Sequence, residues 1–90
     1  MPETTRPVAA PAPPARVPLS RVLIGERRIV VDIVGPGREE LEREGLLPGR
    51  VVVVRTRTPL GGPLILELGR TRIALSIDVA ERVSTVAATP

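Results

Sequence analysis

Three hydroxyls, a run of carboxylates and a set of arginines are the groups of this chain that could do chemistry. Ser20, Ser76 and Ser84 are its serines, and the chain holds neither histidine nor lysine to serve as their base. Nucleophilic catalysis of the hydrolase type therefore has no support. Glu39, Glu40, Glu42 and Glu44 crowd one short segment. Paired carboxylates can share acid–base work or hold a hard cation through oxygen, but an all-oxygen site on a short surface helix would be loose. A selective ferrous or zinc site normally recruits imidazole or thiolate, and there is no histidine and no cysteine. Without lysine there is no Walker loop, and no GxGxxG run is present. The expectation is no catalytic residue, no metal ligand and no cofactor.

Arg55, Arg57, Arg70 and Arg72 could line an electrostatic strip for nucleic acid. Small barrels that bind single strands do so with aromatic stacking platforms, and this chain has no aromatic residue. All 13 cationic side chains are arginine, which inflates the isoelectric point of 11.3, whereas the net charge is only +3. The strip reads as a solubilising strand edge, with a nucleic-acid-binding small barrel as an alternative. A groove for proline-rich peptides would also need aromatic walls. What remains is protein binding. Leu47, Leu60 and Val34 fall outside the apolar pattern of the core, and Arg38 and Arg43 stand on a charged helix. Arg38, Arg43, Leu47 and Leu60 are the expected partner contacts.

The elements that must hold these residues are short. Residues 1–18 carry six of the eleven prolines and read as a disordered Pro/Ala-rich leader with polyproline II character. Its Pro11-Ala12-Pro13-Pro14 fits a weak PxxP pattern. The core is purely aliphatic, from 13 Val, 10 Leu and 6 Ile, and β-branched dominance favours strands. A short turn at Ser20 is expected to lay Leu19 and Leu23 on the core. Arg27 to Val34 alternates, with Ile29, Val31 and Ile33 on one face and Arg28, Val30, Asp32 and Val34 on the other. Arg38 to Glu44 is a two-turn helix anchored by Leu41. It carries an expected Glu39–Arg43 surface pair, and Gly45 is placed as its left-handed cap. Pro48-Gly49 makes a tight turn into the main strand, Arg50 to Thr58, the run around which the chain is built. Pro59-Leu60-Gly61-Gly62-Pro63 is a loop.

Leu68-Gly69-Arg70-Thr71 suits a two-residue type II′ turn. That turn sets Glu67 opposite Arg72, Leu66 opposite Ile73, Ile65 opposite Ala74 and Leu64 opposite Leu75, which sorts the faces; a one-residue slip would mix them. Asp78, with Glu81 three residues on, reads as the N-cap of a helical turn. Val83 to Val86 supplies a last strand, and residues 87–90 should fray. The predicted fold is mainly β: a small barrel of about five strands with one short inserted helix, closed so as to manage its edges. No apolar run approaches the roughly 18 residues that a bilayer span needs, and no signal-peptide core is present, which places the chain in the cytoplasm.

Leu41-x-x-x-Gly45-Leu46-x-Pro48-Gly49, Val51-x-Val53, Pro59-Leu60-Gly61-Gly62-Pro63, Gly69-x-x-x-Ile73-Ala74-Leu75 and Ala80-x-x-Val83, led by Leu19-x-x-Val22-x-x-Gly25, resemble the FeoA family over residues 19–86. The resemblance implies an SH3-like barrel and a non-enzymatic accessory protein of the ferrous iron transporter FeoB, acting on its cytosolic GTPase portion. Transition-metal handling is implied at the level of the family, with ferrous iron as the transporter's cargo. The same domain occurs at the C-terminus of DtxR-type iron-dependent repressors, so a free-standing interaction domain related to them is the other implied reading. The chain departs from the family pattern at three positions. Glu40 stands where an arginine is common, Glu44 where a second leucine is common, and Ser76 where an arginine often follows Ala-Leu.

Overall fold

The main strand, β3 (Val51–Arg57), sits near the middle of a six-stranded antiparallel sheet. The computed structural model of the protein describes residues 15–88. The elements run β1 (Val17–Pro18), a 3-10 turn (Leu19–Arg21), β2 (Arg27–Ile33), α1 (Arg38–Arg43), β3, β4 (Leu64–Leu68), β5 (Thr71–Leu75), α2 (Ile77–Ala80) and β6 (Val83–Ala87). The sheet order is β1-β6-β2-β3-β4-β5. The sheet is open between β1 and β5, where closure was expected, and it has one strand more than the five foreseen. The extra strand is β1, where Val17 and Pro18 pair with Thr85 and Ser84. The last two residues assigned to the leader thus belong to the sheet, whereas residues 1–14, with their PxxP pattern, and residues 89–90 lie outside the described residues.

The hairpin register is the one the sequence predicts, from Leu64 opposite Leu75 to Leu68 opposite Thr71. Gly69 has φ +60°, as the first central residue of a type II′ turn requires. Leu64, Leu66, Leu68 and Leu75 are buried on the inner face. At the end of α1 the Gly45 N–H donates to Glu42 O (3.0 Å) and the Leu46 N–H to Leu41 O (2.9 Å). With φ +105° at Gly45, these two bonds make a Schellman cap, and the buried pair Leu41 and Leu46 supplies its usual apolar contact. A helix of six residues would not persist alone; this cap and the burial of Leu41 hold it on the sheet.

Strict alternation fails in β2 because Val31 is a bulge: Val30 pairs with Thr85 and Asp32 with Ser84. One extra residue reverses the facing of everything after it. The buried set is therefore Arg28, Val30 and Ile33, and not Ile29, Val31 and Ile33. A second bulge, at Arg55 in β3, lies between Val54 opposite Leu66 and Thr56 opposite Ile65.

The first turn also departs from expectation. Val22 is fully buried with Leu19, whereas Leu23 is 71% exposed. The turn is 3-10, so its period is three residues and side chains at i and i+3 share a side; the spacing of four that joined Leu19 to Leu23 belongs to an α-helix. The cap of α2 is Ser76, whose Oγ accepts from the Val79 N–H at 3.3 Å, and Asp78 sits in the first helical turn instead. The surface pair on α1 is Arg38–Glu42 at 3.0 Å, one register step from the Glu39–Arg43 pair foreseen.

Candidate functional site

Three arginines act as connectors within the fold. Arg28 is 5% exposed. Its Nε donates to Thr85 Oγ1 (3.0 Å), its Nη2 to Thr85 O (3.1 Å) and its Nη1 to Glu26 Oε2 (3.1 Å). The Thr85 hydroxyl in turn donates to Val17 O at 2.7 Å, so this group ties β1, β6 and β2 together. Arg57 Nη2 donates to Ser20 O (2.7 Å) and Val22 O (2.6 Å), at the end of the 3-10 turn. Arg82 Nη1 donates to Val34 O (3.1 Å) and Pro36 O (2.7 Å). The Arg28 bonds to Thr85 are buried, where an unpartnered carbonyl costs more than a typical hydrogen bond gains, whereas those of Arg57 are part-buried and those of Arg82 exposed. The guanidinium serves well here because one side chain reaches two acceptors.

The arginine strip is thereby mostly occupied. Arg57 faces backbone carbonyls, and Arg55 contacts Glu67 Oε1 through Nε (2.9 Å) and Nη2 (2.6 Å). Arg72 approaches Glu67 Oε2 at 3.6 Å. The Arg55 hydrogen bond, more than the Arg72 charge, holds the Glu67 carboxyl below its ordinary value. The strip keeps a net positive charge, since one carboxylate serves both Arg55 and Arg72 and the carbonyls bound by Arg57 are neutral, but it has no aromatic platform on which bases could stack. Of the serines, Ser76 caps α2, and Ser20 Oγ is buried without a hydrogen-bond partner. Among the described residues no group of three acidic side chains is placed to hold a metal ion.

The expected partner contacts fall at two ends of the molecule. Leu60 is the tip of the β3–β4 loop. It is fully exposed, at 104%, and its φ is +63°. With Gly61 at φ +79° and the Gly62 N–H donating to Pro59 O at 3.4 Å, the loop is a type I′ turn with leucine at its first central position. Leucine is a poor occupant of that site, since only glycine and, less readily, asparagine or aspartate visit it routinely. The Gly25 N–H donates to Val54 O (2.7 Å), and Arg57 grips the carbonyls of Ser20 and Val22. Leu23 and Ile24, 71% and 58% exposed, therefore run beside the same end of β3 that carries Leu60. Leu23, Ile24 and Leu60 are all exposed aliphatic side chains, and sequence reasoning missed the first two, because a spacing of four places Leu23 on the core.

Leu47 lies at the other end of β3, on the turn whose Arg50 N–H donates to Leu47 O at 3.0 Å and whose Gly49 has φ +92°. Seven strand residues separate that turn from the Leu60 loop, on the order of 20 Å of chain. Exposed Val34 shares the Leu47 end, because it follows β2 and its N–H donates to Arg82 O. Leu47, Leu60 and Val34 do not form one patch.

On α1, Arg38 and Arg43 border one depression with Gly35, Gly37, Glu39 and Glu40. A second cleft, about 290 Å³, lies between α1 and the β5–α2 corner. Pro36, Gly37, Glu40, Leu41, Glu44, Ala74, Leu75, Ser76 and Val79 line it. All three departures noted in the sequence, Glu40, Glu44 and Ser76, meet at this one cleft.

An aliphatic-cored, mainly β sheet with short helices and apolar loop tips defines the class: a small SH3-like β domain. The FeoA domain profile matches residues 17–86, and the chain belongs to the FeoA domain family, which is linked to ferrous iron transport and is not a known enzyme family. Among solved structures, an iron uptake regulatory protein FeoA is 36% identical with a TM-score of 0.72, over 80% of this chain and 96% of that one. FeoA of Stenotrophomonas maltophilia, solved with zinc and described as a prokaryotic SH3 domain protein, is 28% identical with a TM-score of 0.65, over 77% and 88% of the two chains. A manganese-dependent transcriptional repressor shares the fold at 15% identity and a TM-score of 0.76, over 83% of this chain but 43% of that one. No match is found among curated protein sequences.

Proposed function

We propose that this protein is a non-enzymatic accessory of a ferrous iron transporter of the FeoB type, docking from the cytoplasm on the transporter's GTPase portion. The observation that carries the reading is Leu60, a fully exposed leucine at a loop tip of a FeoA-family domain that also exposes Leu23 and Ile24. A leucine held fully exposed in a backbone conformation that disfavours it has no use inside the fold. A protein contact gives it one. Arg38 and Arg43 of α1, with Leu47, form the second part of the proposed contact surface, at the other end of β3. Docking shifts the partner between states by its differential affinity for them. The absence of any aromatic stacking platform weighs against single-stranded nucleic acid.

The test is an amide NMR titration with the cytosolic GTPase domain of the cognate transporter, since a chain without Trp or Tyr is nearly silent in fluorescence. Shifts clustering on Leu23, Ile24 and Thr58 to Gly62 support the reading. A dispersed spectrum that ignores the domain at high concentration refutes direct docking there.

A further inference from the structure

The cleft between α1 and the β5–α2 corner is built with an apolar floor and an acidic rim. Leu41 and Leu75 are nearly buried at its base, with Val79 half-buried beside them. Glu40 and Glu44, four residues apart, place their carboxylates on one face of the helix. The opposite wall, Ala74 and Ser76, is small and uncharged. Both glutamates are exposed, and among the described residues neither has an arginine within salt-bridge distance. The helix's own pair uses Glu42, and the remaining pairs use Glu26 and Glu67.

Helix stability accounts for Glu40, which stands in the first turn where the dipole favours a carboxylate, but not for Glu44 or for the spacing of the two. Like charges four residues apart repel. Glu44 occupies the C-cap, where a carboxylate opposes the dipole and a cation would be favoured. The chain thus sets two acids without a salt-bridge partner around a cleft whose leucines are nearly buried and whose open apolar side chains are Ala74 and Val79.

We infer that this cleft takes a cationic, aliphatic segment of the protein partner. Arg or Lys side chains of that segment meet Glu40 and Glu44, and an aliphatic side chain covers Ala74 and Val79, above the nearly buried Leu41 and Leu75. The inference rests on the accessory reading for the partner's nature and adds the charge of the segment it presents. Charge complementarity of this kind sets which partner is accepted more than how tightly it is held. Glu40, Glu44 and Ser76 are then the positions by which this chain selects a client.

The experiment uses the full chain and two synthetic peptides of about twelve residues, one with two arginines four apart flanking leucines, the other with glutamates in place of the arginines. Amide shifts are followed at low and raised salt. The cationic peptide is expected to move Glu40 to Glu44 and Ala74 to Val79, and to lose affinity as salt rises. The double variant Glu40→Arg, Glu44→Arg is expected to bind it about tenfold more weakly or worse and to gain the anionic peptide. Glu39→Arg, which borders the other depression, serves as the control. Equal binding of both peptides, no movement of these amides, or a double variant indistinguishable from the parent overturns the inference. The same variants titrated with the GTPase domain separate the two readings. Docking unchanged by the double variant removes the cleft but keeps the accessory role. Cleft binding of the cationic peptide without docking of the domain does the reverse.

Discussion

Replacing Leu60 by glycine should stabilise the domain and weaken its docking, two effects of opposite sign from one side chain. At φ +63° a leucine bears roughly 1–2 kcal/mol of steric cost. Glycine removes that cost and returns about 0.5–1 kcal/mol of it through the greater freedom of the unfolded chain. Full exposure of the side chain means that no burial is forfeited. The net gain is about 0.5–1 kcal/mol. For a domain of this size that raises Tm by about 2–8 °C, read by far-UV circular dichroism. In the complex the same leucine, once covered, contributes about 1.5–3 kcal/mol, so its loss weakens docking roughly ten- to a hundredfold. A Tm that falls or stays put refutes the strained-turn argument. A Tm that rises while titration with the GTPase domain is unchanged keeps the strain and removes Leu60 from the contact surface.

Gly45→Val and Gly69→Val should each cost about 1–3 kcal/mol, since both backbones sit at positive φ, whereas Leu47→Glu should change stability by no more than about 0.5 kcal/mol. Urea titrations that rank the three alike would undo this division. Arg28→Met keeps the aliphatic stem but removes the charge-assisted bonds to Thr85 and should cost about 1.5–3 kcal/mol, with faster amide exchange along the β1–β6 pairing; unchanged exchange there would show that β1 is held without it. Glu67 titrates below its ordinary value of 4.5 because Arg55 hydrogen-bonds it, with Arg72 adding charge. A carboxyl depressed in the folded state stabilises above its unfolded value, and that contribution is lost as pH falls through the lower folded value. Glu67→Gln should therefore be less stable at neutral pH and show a weaker loss of stability on acidification below about 4.5. Identical pH profiles for parent and variant would contradict the assignment.

The hairpin, the glycine cap of α1 and the Pro-Gly turn were legible because each rests on local chemistry that few residue types can satisfy. Gly69 and Gly45 fill positions that need positive φ, and the hairpin register follows once the turn is fixed. The illegible features are those where one residue changes the phase. Val31 bulges and turns the second half of β2 over, and a 3-10 turn replaces period four by period three, which buries Val22 and frees Leu23. Neither follows from hydrophobic pattern, since Val22 and Leu23, or Val30 and Val31, are equally fit for a core. The candidate site was half legible for the same reason. Leu60 stood out as a leucine in a glycine-rich loop, but the exposure of Leu23 and Ile24 became visible only once the turn was in place.

The arginines carry the more general point. A chain without Asn, Gln, Lys or His has few long side chains with which to satisfy backbone carbonyls stranded at element ends. Arg28, Arg57 and Arg82 do it here, each with bonds to one or two carbonyls. Arg38, Arg55 and Arg72 pair with glutamates. The net charge of +3 counted from sequence therefore gives the total but not where charge of either sign stands open to a partner. Glu40 and Glu44, left without an arginine, supply negative charge at a cleft of a formally basic protein. A search for its client guided by the isoelectric point would look for acidic partners, whereas the cleft calls for a basic segment.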